Sequence, residues 1–558
     1  MASTGSEATA VNGQQDHILR PRPRKPQHSQ VSDLVRENSS GSAHGLLAPG
    51  GEDIPSGATS GRSTPIPEDA PQSTKALSSA RKQVRAEQRR RLFPTVDFTS
   101  RLSHFDPDSD YRDFHGFFNL FWIGLAIMAI TTGLRNIKDT GLPLRVQIWS
   151  LFTVKLWHLA AADFFMVAST AVSLPLHKLF RNSKGGMTWA KGGMAVQSIY
   201  QVVWLAFWIA IPFLFQWTWT AQVFLVLHTM VLLMKMHSYA FYNGHLSETE
   251  KRLRDLDNPS TASKAPAYQY PSVENPMGTL AHDGKPHDDA NSDSDGEGVS
   301  QLREDLAREL TSPIGNITYP RNLTWANYGD YLLCPTLCYE LEYPRTTAIN
   351  WTSLIAKIVA TFGCIFLLTI ISEEFILPVL QESRVRLDSV ASATETLLIL
   401  AETISWLLFP FMLTFLLVFL VIFEYVLGAF AEITYFADRH FYADWWNSTD
   451  WMEFSREWNV PVYSFLRRHI YATSKPKIGR GMATVITFLI SAIGHEIVMA
   501  CITKKLRGYG FVCQMLQLPL VVLQKTRFVR NRKTANNVVF WASMIMGLSL
   551  ICSLYVLV

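Results

Sequence analysis

Residues Met482 to Thr503 read MATVITFLISAIGHEIVMACIT, an apolar run of bilayer length with a histidine, His495, in its middle. A spanning helix takes about 20 apolar residues, and an ionisable group held at that depth is costly enough to suggest a functional site. The plainer alternative is a histidine that only hydrogen-bonds a neighbouring helix. An imidazole in apolar surroundings is expected to rest neutral, with a lone pair able to accept a proton. Ser491 lies four residues earlier on the same helix face, whereas Glu496, the next residue, faces elsewhere.

Similar runs extend outward from this one. His115–Leu134, Ala195–Phe215, Thr220–Met234, Ile355–Ser372, Ser405–Phe423 and Val538–Val558 read as spans. Val146–Leu174, with Lys155, His158 and Asp163, combines an interfacial amphipathic piece with a span. Phe511–Leu523 is interrupted by Gln514, Gln517 and Pro519 and is expected to be buried against protein. That makes eight or nine spans. Apolar helical segments, rather than the short alternating segments of a barrel, predict an all-α multi-spanning transmembrane protein with a disordered N-terminal tail.

The chain has 558 residues, 48% of them hydrophobic, but that average hides two polar low-complexity regions. Residues 1–110 are expected to be a disordered cytosolic region, 111–245 the N-terminal transmembrane helices, 246–327 a polar acidic linker and 328–558 the catalytic transmembrane region. Met1–Gly50 shows no apolar stretch typical of a signal peptide, and the basic run from Arg81 to Arg91 predicts a cytosolic N-terminus. Ser292 and Ser294, among the acids of His287–Gly298, look like phosphorylation sites. The prolines in Tyr331–Glu340 and Tyr343-Pro344-Arg345 predict an ordered loop or re-entrant segment.

A net charge of +4 gives no reason to expect nucleic-acid binding. Cys334 and Cys338 have no second cysteine pair or neighbouring histidines, so no metal site is expected there. Neither a Gly-rich phosphate loop nor GxSxG nor HExxH occurs, which leaves kinase, hydrolase and zinc-protease chemistry without support.

Two clusters precede the His495 run. Phe441–Asn447 reads FYADWWN; an aromatic belt accounts for its tryptophans but not for Asp444 and Asn447 around them. In Trp458-Asn459-Val460-Pro461 the proline favours an extended Val460 and so a helix boundary at Asn459. That amide could cap a helix or hold a substrate carbonyl. Arg467, Arg468, Lys475, Lys477 and Arg480 form a positive band, suited to a phosphate-bearing cosubstrate or explained by cytosolic-loop positivity alone.

In combination and order, these motifs resemble the membrane-bound O-acyltransferases of the sterol and diacylglycerol branch. The resemblance rests on FYADWWN, Trp458–Val462, Arg468-His469-Ile470-Tyr471, Ser491–Glu496, Pro335–Glu340 with Tyr343-Pro344-Arg345, and Lys235–Tyr239. Lys504-Lys505-Leu506-Arg507 and Gln514–Leu520 are similar to the fungal-type sterol O-acyltransferases in particular, and the likeness runs from about residue 110 to the C-terminus without the linker.

The resemblance implies an endoplasmic-reticulum enzyme of about nine spans, a homodimer or homotetramer, that moves a fatty acyl group from acyl-CoA to a sterol 3β-hydroxyl. Acyl-CoA is its cosubstrate, and no cofactor or metal is implied. The family's catalytic histidine falls on His495 and its catalytic asparagine on Asn459, not Asn447. Acyl-CoA-binding roles fall on Tyr442, Asp444, Trp446, Asn447, Arg456, Trp458, Tyr471, Ser491 and Arg480, the last standing where relatives have a lysine. Tyr463 stands where relatives place a histidine. Diacylglycerol as the acceptor is the alternative within this chemistry. A transporter using His495 as a proton relay is the alternative outside it, and it lacks the expected internal symmetry.

Overall fold

The long apolar runs fold as helices, because only a helix satisfies its own backbone in hydrocarbon. The computed structural model describes residues 96, 98–105, 115–143, 155–215, 217–256, 302–312, 316–524, 526, 529 and 532–557. The expected tail up to residue 95, Ser292, Ser294 and the acidic stretch lie outside the described residues.

The first half holds α1 (His115–Thr140), α2 (Leu156–Thr170) leading through a short break into α3 (Ser173–Asn182), α4 (Met194–Leu214) and α5 (Trp219–Leu256). The second begins with α6 (Trp325–Leu333), followed by α7 (Trp351–Ile371) and α8 (Leu377–Asp388), joined by a π-helical turn. Another such turn joins α9 (Ala393–Phe419) to α10 (Leu427–Ile433). The short helices α11 (Trp451–Glu457) and α12 (Val460–Phe465) lead into α13 (Ala472–Thr503), and α14 (Tyr509–Gln524) and α15 (Lys533–Leu557) close the chain.

Among the described residues eight helical stretches are long and apolar enough to cross a membrane, and α14 is a shorter apolar helix. This is a multi-pass membrane protein. Outward-facing Phe117, Leu120 and Ile127 on α1 and Val202 and Val203 on α4 are exposed, as a lipid-facing surface requires. The window of α5 is half buried and that of α1 only 11% buried, so α5 is central and α1 peripheral.

Several expectations need correction. The linker is shorter than 246–327: α5 runs on to Leu256 with Leu246 and Leu253 buried, and a helix over 302–309 buries Ala307 with Leu310 after it. Sparse leucines at helical spacing give these charged stretches an amphipathic face that packs into the protein. The boundary at 110 also fails, since Ser103 is buried and Phe98 and Phe105 pack against the main core. Finally, α14 is not buried against protein: Val512, Leu516, Leu520, Val522 and Leu523 face outward, and Val521 is buried.

The Cys334–Asn350 stretch is an ordered non-helical loop whose first half is buried. Lys235 holds it from α5. Its ammonium donates to the carbonyls of Tyr331 (3.0 Å), Cys334 (2.7 Å) and Thr336 (2.8 Å), fastening the last turn of α6 and the start of the loop to α5.

Candidate active site

The helix carrying His495 is not continuous. Gly479, at φ +81° and ψ 170°, breaks α13 in a conformation open essentially to glycine alone, three residues after Pro476. Lys475, Lys477 and Arg480 flank the break and are all exposed. Beyond it, Phe488, Ala492 and Glu496 form the buried stripe of the helix.

His495 lies off that stripe and is exposed, so the expectation of a buried imidazole is corrected. Its Nδ1 lies 2.8 Å from the carbonyl oxygen of Ser491. A carbonyl only accepts, so Nδ1 carries a proton, and in the neutral ring the lone pair is on Nε2. Ser491 therefore orients the ring through its backbone and is itself half-buried.

Glu496 does face away and has a different task. It accepts from Gly508 N (2.7 Å), Phe511 N (3.0 Å) and the Tyr555 hydroxyl (2.7 Å), tying α13 to the start of α14 and to α15.

Asn459 caps α12: its Oδ1 accepts from Val462 N at 3.1 Å, with proline in the first turn. The cap occupies the oxygen and leaves the amide N–H groups as donors. Backbone pairing holds the asparagine beside FYADWWN, with Val460 N donating to Phe441 O (3.0 Å) and Ala443 N to Glu457 O (2.8 Å). Among the described residues no hydrogen bond joins His495 to Asn459.

The remaining predicted acyl-CoA contacts divide by exposure. Asn447, Arg456 and Arg480 are exposed; Asp444, Trp446, Trp458, Tyr471 and Ser491 are half-buried. Trp458 stacks on Phe415 at 4.7 Å, and the Trp446 carbonyl accepts from Asn537 (3.0 Å) and Trp541 (3.1 Å). Tyr442 is fully buried, and its hydroxyl donates to Glu424 at 2.8 Å. Arg468 is removed from the phosphate-binding band. It is 1% exposed, pairs with Glu340 at 2.8 Å and lies over the Tyr242 ring at 4.5 Å.

One supporting structure was not foreseen. The segment before α1 forms a strap across FYADWWN. Arg101 grips Asp438 with two guanidinium hydrogen bonds, Nε to Oδ1 (3.0 Å) and a terminal nitrogen to Oδ2 (2.8 Å). Thr99 N donates to the same carboxylate, and the backbones pair through Arg101 N to Ala437 O and Arg439 N to Arg101 O. Ser103 bonds Glu424 and Tyr442, while His104 faces His440, Tyr442 and Trp446. Lys357 pairs with Glu424 at 3.1 Å from α7. An intramembrane Lys357 and a Glu424 at the end of an apolar run were the sequence signals of this network. Burial holds the imidazoles of His104 and His440 below the usual histidine range.

The membrane-bound O-acyltransferase family model matches residues 188–557. The chain belongs to the membrane-bound O-acyltransferase family. It is an acyltransferase, 39% identical over 448 residues to the probable sterol O-acyltransferase 2 of Schizosaccharomyces pombe, covering 80% of this chain and 87% of that protein. It is 31% identical over 493 residues to sterol O-acyltransferase 2 of Candida albicans, covering 83% and 78%. A diacylglycerol O-acyltransferase 1 from Dictyostelium discoideum is 33% identical, but over 46% of this chain. Both candidate clusters of this acyltransferase fall inside the matched region, and the strap that braces them lies before it.

Proposed function

We propose that this acyltransferase moves a fatty acyl group from acyl-CoA to the 3β-hydroxyl of a membrane sterol, yielding a sterol ester and CoA. It works in the endoplasmic-reticulum membrane with a cytosolic N-terminus, as a homodimer or homotetramer. The observation that carries this reading is the His495 ring, exposed within an apolar span, its Nδ1–H donated to Ser491 O and its Nε2 free.

Nε2 takes the hydroxyl proton as the sterol oxygen bonds to the thioester carbon. Asn459 donates an amide N–H to the carbonyl oxygen as it gains charge; in the comparable acyl transfer of subtilisin, one such donor is worth about 10²–10³ in rate. The carbon–sulfur bond then breaks, and the departing thiolate recovers the proton from the imidazolium. Because the thiolate is a good leaving group, the sequence needs no acyl-enzyme. Lys475, Lys477 and Arg480 suit the phosphates of CoA, and Asp444, Trp446, Asn447, Arg456, Trp458, Tyr471 and Ser491 the remainder of acyl-CoA.

Likeness to sterol-named relatives over four fifths of the chain favours a sterol acceptor over diacylglycerol. The test is to give membranes containing the protein labelled oleoyl-CoA with ergosterol, cholesterol or diacylglycerol separately. Sterol ester should dominate and should vanish in His495→Ala. Triacylglycerol as the main product would overturn the acceptor, and near-normal turnover by a well-expressed His495→Ala would overturn the base.

A further inference from the structure

A second candidate site lies at the other end of the chain's matched region, far in sequence from His495. A cavity of about 600 Å³ opens where the end of α3, the following loop with the π-helical turn Trp189–Gly193, and the last turns of α5 converge. Five cationic side chains line it: Arg181, Lys184, Lys191, Lys251 and Arg254. Only two carboxylates, Glu248 and Glu250, join them, leaving a net charge of +3 (five positive less two negative).

The cations are not equivalent. Glu250, 7% exposed, receives two hydrogen bonds from Arg181 (2.9 Å each) and one from Arg254 (2.6 Å), so a single carboxylate fixes two guanidinium groups. Glu248 pairs with Lys251 at 3.2 Å. Among the described residues Lys184 and Lys191 have no carboxylate partner, and both line the same opening.

The loop that carries them is firmly seated. Thr188 O accepts from the amides of Lys191, Gly192 and Gly193. Trp189 lies so close over Gly244 that a Cβ there would meet its ring at 2.1 Å, and one on Gly192 would meet Gly186 O at 2.5 Å. Ordinary loop positivity needs charge but neither a concave opening of this size nor a carboxylate clasping two arginines.

Its level relative to the bilayer narrows the ligand class. Outward-facing Leu179, Met187 and Met194 bring the lipid-facing surface up to the rim of the cavity. Counting spans from α1, the cavity lies on the side of the segment preceding His115. Basic pockets between helices at this level suit anionic headgroups.

We propose that this cavity binds a phosphate monoester, presented either by a lipid headgroup or by a soluble phosphate, with Lys184 and Lys191 supplying the unpaired charges. The full-length protein in detergent micelles is titrated with short-chain phosphatidate, short-chain phosphatidylcholine and inorganic phosphate, and again as the K184A/K191A variant. Phosphatidate should bind at least about tenfold more tightly than phosphatidylcholine, and the variant should lose that preference. Competition by inorganic phosphate that also disappears in the variant would uphold the site with a soluble ligand. Equal binding of the two lipids without phosphate binding, or an anion preference retained in the variant, would overturn it. Both lysines are exposed, and matching tryptophan-fluorescence melting curves establish that the variant is folded.

Discussion

Under the proposed mechanism Asn459 serves two purposes with two ends of one amide, the observed cap and the proposed donor, and a single-atom change separates them. Asn459→Asp keeps the oxygen that accepts from Val462 N and removes the N–H donors. Turnover should fall by about 10²–10³ while thermal stability stays near normal, because the cap survives. Normal turnover in that variant would reduce Asn459 to a cap. The sequence placed a helix boundary at this residue through an extended Val460 before Pro461; the boundary holds, but Val460 is not extended and is itself the first residue of α12. Arg468 shows the opposite outcome, because sequence cannot distinguish a buried cation from an exposed neighbour. Arg468→Ala should destabilise the fold by about 3–5 kcal/mol by leaving Glu340 buried and unpaired. Lys475→Ala should leave melting unchanged and raise the KM for acyl-CoA. A melting shift for Lys475→Ala but not for Arg468→Ala would contradict the assignment.

The spans were legible because apolar length alone specifies them, whereas the pieces between spans were not. Neither leucine spacing in charged sequence nor a short strap stands out from composition, yet both become ordered once α5 and FYADWWN provide surfaces. The strap carries an element-level expectation. Removing the Arg101–Asp438 grip with Arg101→Ala should raise the KM for acyl-CoA more than it lowers kcat, since Asp438 leads directly into the motif. A loss in kcat alone would argue against it. Acid should loosen the same contact. His104 and His440 have folded pKa values below the unfolded 6.5, so the unfolded chain binds more protons as pH falls. Their contribution is therefore present above about pH 6.5 and lost as pH drops through the folded values. His104→Phe should flatten the decline of acyl-CoA affinity below that pH, and an unchanged pH profile would remove the histidines from the argument.

Across the whole molecule, the half that carries the candidate site is braced by parts distant in sequence. Glu496 joins the His495 helix to α14 and α15, and the strap before α1 grips the loop after α10. Family resemblance identified the chemistry and the order of motifs, but not these braces. They mark where the chain can be shortened. Residues 1–80 have a composition too polar to build part of a packed core, so a chain starting after Ala80 should keep its specific activity in membranes. A chain starting after Phe105 should not. It would leave Asp438 without Arg101 and Glu424 without Ser103, exposing Tyr442 and Trp446 where Phe105 now packs. Labelled oleoyl-CoA turnover per inserted molecule, compared for the two truncations, checks this. Equal activity would show the strap to be dispensable, and loss in the shorter deletion as well would show that the first eighty residues do more than their composition allows.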